Sequence, residues 1–161
     1  HMIRDGRDVA VSGWFHNMRK PTKTFTDLYS GDFKKYLKES SIVYWMSYKS
    51  KARESAKKFP ERYLEVRYEN MVENPKDEIE KVLEFLEVDI SKEAIDTVYQ
   101  AGKFEKLSEG RKPGQEDLQS HIRKGIIGDW KNHFDQDSLD IFNELAGPMM
   151  EDLGYKIVES L

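Results

Sequence analysis

The chain has 161 residues, with 38% hydrophobic and 35% charged side chains and a formal net charge of −4. That length suits one ordinary domain with a real core, and the acidic balance argues against general nucleic-acid affinity. Without cysteine there is no disulfide framework, no thiolate metal site and no cysteine nucleophile, which fits a reducing, cytoplasmic setting. No apolar run reaches the ~20 residues of a membrane span, and the start, HMIRDGRD, is too charged for a secretory signal.

His1-Met2 reads as a cloning scar, which leaves residues 3–161 as the domain. The abrupt beginning at Ile3-Arg4-Asp5 suggests a fragment. Ile3 is placed as the end of a strand. Residues 5–20 are predicted helical, with Val9, Trp14 or Phe15, and Met18 on a partly apolar stripe and Pro21 as the stop. Residues 21–31 read mostly as loop, and 32–39 as a short helix. A longer helix is predicted from about Ser41 to Lys58, ended by Pro60. Residues 63–67, YLEVR, alternate as a strand does. Asn74-Pro75 opens a helix with Ile79, Val82, Leu83 and Leu86 inside. Ser91 opens another, closed by Gly102. Residues 103–128 hold five Gly or Pro positions and read as a long irregular segment, which in a compact domain is usually functional or mobile. The last helix is predicted from about Ser138 to Leu153, kinked or broken at Gly147-Pro148. Two strands separated by so much helix imply parallel pairing, and a buried parallel sheet needs both faces covered.

Charge is concentrated in two islands, a local +3 over residues 1–25 and +2 over 121–134. The first contains RDGRDVAVS, residues 4–12, at the expected strand-to-helix turn. Backbone N–H groups at a helix start, an Arg fork and a hydroxyl can hold an anion there. The same residues also suit a capping turn in which Asp5 and Asp8 balance the helix dipole. The second island contains RKGIIGDWK, residues 123–131, where two adjacent cations precede a glycine that permits close approach. It reads equally as a surface loop anchored by Trp130. Neither GxxxxGK[ST] nor GxGxxG occurs.

Together these segments resemble the sulfotransferase family, whose donor is 3′-phosphoadenosine 5′-phosphosulfate and whose product is adenosine 3′,5′-bisphosphate. The family's 3′-phosphate signature runs RDPRDxxVS; here Gly6 replaces the Pro, which should loosen the turn. Its RKGxxGDWK signature is matched throughout residues 123–131, and YENMVENP, residues 68–75, is similar to its YEDMxxDP segment. The resemblance implies an α/β, P-loop-like fold, helix-rich in this C-terminal portion, with few parallel strands.

It also implies roles. Arg4 and Ser12 contact the 3′-phosphate, and Arg123, Lys124 and Gly125 close over it. Tyr68 reaches the adenine, and Phe104 packs on the ring or is a core anchor. The family's PKSGTT-type 5′-phosphosulfate loop, with its lysine, and its histidine base have no match in these residues, so no catalytic residue and no metal ligand is assigned. His16, His121 and His133 read as surface or packing histidines.

The expected function is sulfuryl transfer to a hydroxyl or amine of a small-molecule acceptor, with this chain as the nucleotide-gripping half and inactive alone. A non-catalytic nucleotide-binding fragment or a helical interaction module are the alternatives. An upstream half, or another chain, is expected over the sheet edge; neither nucleic acid nor membrane is an expected partner. The family's KxxxTVxxxE dimer pattern lacks its Thr-Val here, where Lys131 is followed by Asp135-Gln136 and Asp140, so that dimer is not expected.

Overall fold

The computed structural model describes residues 1–161, which divide into two compact units. The first comprises His1–Arg4 and Phe59–Ile127, and the second Asp5–Lys58 and Gly128–Leu161. No helix is long and apolar enough to cross a membrane.

The first unit contains the sheet. Strand β1 (Met2–Ile3) pairs in parallel with β2 (Val66–Arg67), in the register Met2 to Val66 and Ile3 to Arg67. Ile3 and Val66 are buried. The expected strand over 63–67 is thus shorter than its alternation suggested. A tight turn at Pro60–Arg62 takes up the chain just before it. Helix α5 (Tyr68–Glu73) follows β2 directly, where the sequence pattern predicts no separate helix. Helix α6 (Pro75–Phe85) starts with Pro at its first position, where a missing N–H costs nothing. Helix α7 (Lys92–Gly102) is capped by Ser91, whose hydroxyl accepts from the Ala94 N–H at 3.2 Å. A single helical turn, α8 (Phe104–Leu107), lies inside the stretch 103–128 predicted to be irregular.

The second unit is helical. It holds α1 (Gly6–Arg19), α2 (Lys23–Tyr29), α3 (Phe33–Tyr36), a π turn at Leu37–Ser41 and α4 (Ile42–Lys58). A short 3-10 turn at Asp129–Asn132 and α9 (Gln136–Asp152) complete it. Gly147-Pro148 does not end α9, in which Pro148 is an interior residue.

Helix α2 replaces the expected loop for two reasons. Thr22 caps it, accepting from the Phe25 N–H at 3.1 Å. Phe25 and Tyr29, one turn apart, pack with tilted rings at 5.0 Å and join an aromatic cluster with Trp14, Phe33 and Tyr36. That packing outweighs the weak helix propensity of a Thr-rich segment. The cluster continues from Phe33 to Phe134, and from there to Trp130 and Phe142.

The segment where the dimer pattern departs from its family has local work. Asp135 caps α9, accepting from the Ser138 N–H at 2.9 Å, and pairs with Lys34 at 2.8 Å. The Lys34 hydrogen bond, then those from Ser138, hold the Asp135 carboxyl below the usual carboxylate range.

Candidate functional site

Six of the seven residues proposed to bind nucleotide lie in the first unit: Arg4, Tyr68, Phe104, Arg123, Lys124 and Gly125. Arg4 emerges from β1, and Tyr68 opens α5 directly after β2. Because the two strands are neighbours in parallel register, their ends deliver these side chains to one place. The Arg4 guanidinium lies over the Tyr68 ring, 4.3 Å from its centroid. It also donates to the Ile126 carbonyl at 3.3 Å, two residues beyond Lys124. Both residues are half-buried.

The irregular segment is stitched by hydrogen bonds. The Gly114 N–H donates to the Lys124 carbonyl at 2.8 Å, and the Asp117 N–H to the Arg123 carbonyl at 3.0 Å. Arg111 donates from one guanidinium nitrogen to the Gln115 and Arg123 carbonyls, at 2.9 and 2.8 Å. Its other terminal nitrogen donates to the Ile122 carbonyl at 2.5 Å. The carbonyls of residues 122, 123 and 124 are therefore all engaged by residues 111–117. The Arg123 side chain forms an ion pair with Glu116.

Gly125 has a φ of +66°, a left-handed conformation, and a Cβ there would come within 2.2 Å of the Phe104 ring. Only glycine allows that approach at this backbone angle. Phe104 thus packs against the loop backbone at Gly125, with the Arg111 guanidinium 5.5 Å from its ring centroid.

Ser12 lies in the second unit, exposed on α1. There the first signature shows its structural side. Asp5 caps α1 by accepting from the Arg7 N–H at 2.9 Å, and binds the Arg7 guanidinium through both carboxylate oxygens, at 3.0 and 2.6 Å. Arg7 is only 4% exposed, lies over Trp130 and donates to the Lys156 carbonyl at 3.3 Å. Asp8, 1% exposed, accepts from the N–H groups of Gly128 and Trp130 at 2.7 and 2.9 Å. A role for Asp8 in balancing the α1 dipole misses these bonds, by which the first signature holds the second across 120 residues.

Gly6 does more than loosen its turn. A Cβ there would lie 2.7 Å from the Phe142 ring and 2.9 Å from that of Trp45, so the missing side chain is replaced by packed aromatics. Of the histidines, His16 and His121 are exposed. His133 lies 3.3 Å from Asp129 and edge-on to Phe15.

Sequence reasoning missed Arg111. Its acceptors are backbone carbonyls, which leave no side-chain signature, and its only flag was a cation set among Gly110, Pro113 and Gly114.

Known proteins agree with the resemblance. The sulfotransferase domain model matches residues 1–154. Sulfotransferase 1A1 of Mus musculus is 31% identical over 148 residues, 83% of this chain and 49% of that protein. Sulfotransferase 1 family member D1 of Rattus norvegicus is 30% identical over 171 residues, 97% of this chain and 56% of that protein. The chain spans about half the length of these curated relatives. A crystal structure of mouse sulfotransferase SULT7A1 complexed with PAP superposes with a TM-score of 0.71. It covers 95% of this chain and 58% of its own, at 23% identity, and shows a shared fold. With residues 1–154 of its 161 matching the sulfotransferase domain model, the chain belongs to the sulfotransferase domain family.

Proposed function

We propose that this chain grips the nucleotide of 3′-phosphoadenosine 5′-phosphosulfate for sulfuryl transfer to a hydroxyl or amine acceptor. The observation that carries the reading is the meeting of Arg4, Tyr68 and the Arg123–Ile126 segment in one unit, brought about by the β1–β2 pair.

The residues suit the group. Guanidinium forks match phosphate oxygens, and a glycine loop allows backbone to approach them. Arg4 and Arg123, with Lys124, would hold the 3′-phosphate. Arg123 also pairs with Glu116 through its guanidinium. Tyr68 would meet the adenine, while the assignment of Phe104, whose ring lies against Gly125 and beneath Arg111, rests on the resemblance alone. The assignment of Ser12 to the same phosphate rests on the motif alone.

The bound donor would supply the activated sulfuryl group; these residues hold and orient the nucleotide that leaves. General-base help is worth ~10²–10⁴ in rate, and each donor stabilising the leaving charge ~10²–10³. Neither a base nor a 5′-phosphosulfate loop is assigned within this chain, so it turns over no acceptor by itself.

Titration calorimetry tests the reading. Adenosine 3′,5′-bisphosphate is expected to bind the chain more tightly than adenosine 5′-phosphate, which lacks the 3′ group. Equal affinities would refute the 3′-phosphate grip. Sulfuryl transfer by the isolated chain to a panel of phenols, alcohols and sugars would place the catalytic groups within these residues and refute the proposed division.

A further inference from the structure

We infer that Arg111 is a positioning residue for the phosphate-gripping loop, acting through the backbone at Arg123 rather than on the nucleotide. The inference rests on the nucleotide reading above.

The sequence from Arg123 to Gly125 can grip an anion only if its backbone is held in one orientation. The loop lies in no helix or strand, so nothing regular holds it. Its carbonyls need donors that regular structure would otherwise provide. Arg111 supplies three bonds, two of them to the consecutive carbonyls of Ile122 and Arg123 and the third to Gln115 on the opposing side. One planar fork therefore ties both sides of the loop together. With those carbonyls pulled toward Arg111, the peptide planes flanking Arg123 are fixed, and so is the direction in which its side chain leaves the backbone.

Two neighbours strengthen the role. The Arg111 guanidinium faces Phe104, and Phe104 presses on Gly125. The guanidinium, the ring and the loop backbone thus lie against one another. Every terminal-nitrogen bond of Arg111 given above ends on a main-chain oxygen, so its job is geometric. A lysine would keep the charge but, as a compact ammonium, could not reproduce the flat three-carbonyl fork.

The test measures nucleotide affinity by calorimetry for the chain and for Arg111→Gln, Arg111→Lys, Arg123→Ala and the Arg111→Gln/Arg123→Ala double variant. Adenosine 5′-phosphate serves as the fold control. Arg111→Gln is expected to weaken adenosine 3′,5′-bisphosphate binding about tenfold or more while leaving adenosine 5′-phosphate unchanged. Arg111→Lys is expected to lose nearly as much. In the Arg123→Ala background the Arg111→Gln loss is expected to shrink markedly, because the two residues act in series.

Full recovery with lysine would show that charge, not the fork, matters, and would overturn the inference. Additive losses in the double variant, or equal losses for both nucleotides, would overturn it as well. If Arg123→Ala weakens binding and Arg111→Gln does not, the positioning role alone falls. If Arg123→Ala changes nothing, the nucleotide reading falls and this inference with it.

Discussion

In the Asp5–Asp8 turn, charge is directed inward. Arg7 is enclosed by Asp5, the Trp130 ring and the Lys156 carbonyl, and Asp8 is committed to two backbone N–H groups. In the segment from Arg111 to Gly125 the same residue types stand half-buried or exposed. There Arg123 pairs with Glu116, and Arg111 holds up the backbone beneath it. Both regions carry a family signature, yet the charges of the Asp5–Asp8 turn are buried against partners of the protein itself. A basic island is thus a poor guide to how many of its cations bind. What separates ligand from scaffold is burial and the identity of each partner.

The inward-facing turn should be the more sensitive of the two to mutation in stability. Asp8→Ala strands the Gly128 and Trp130 N–H groups, at a cost of about 1–3 kcal/mol for each donor left unmet. Thermal melting is expected to show a fall of several degrees. Asp8→Asn, whose amide retains one acceptor, is expected to fall between the two. A melt of Asp8→Ala that overlays the parent would show that these bonds do not hold the turn.

Gly6→Ala is the smaller perturbation of the same region. Its methyl would press on the Phe142 and Trp45 rings, both packed in the core. Overpacking of this kind typically costs about 1–3 kcal/mol. Proline, the family's residue at this position, carries the same Cβ and more, and should be no better tolerated. A stabilised Gly6→Pro variant would mean that the rings yield freely.

The difference between the two regions also marks what could be read from the residues. Strand Ile3, the helices from Gly6, Ile42, Lys92 and Gln136, and the parallel pairing were legible, because each has its own stripe, cap or alternation. The short signatures located the loop and Arg4. Helix α2 was not legible, because its Thr-rich sequence has weak propensity and its Phe25 packs on Trp14 and Tyr36, which lie outside it. The alternation over residues 63–67 did not show that the strand is confined to Val66–Arg67. Asp8 and Arg111 were hidden for one reason: their partners are main-chain groups, identical at every residue. The sequence shows that these charges exist but not that they are already committed.

The central claim is that the loop-side cations, and not the buried ones, read the 3′-phosphate. The most direct measurement is calorimetric affinity of Arg4→Ala and Arg123→Ala for adenosine 3′,5′-bisphosphate, set beside adenosine 5′-phosphate. A hydrogen bond to a charged group is worth ~1.5–3 kcal/mol. Each substitution is therefore expected to weaken the bisphosphate by roughly 10- to 150-fold and to leave the monophosphate unchanged. Equal losses for both nucleotides, or none for either, would contradict the account.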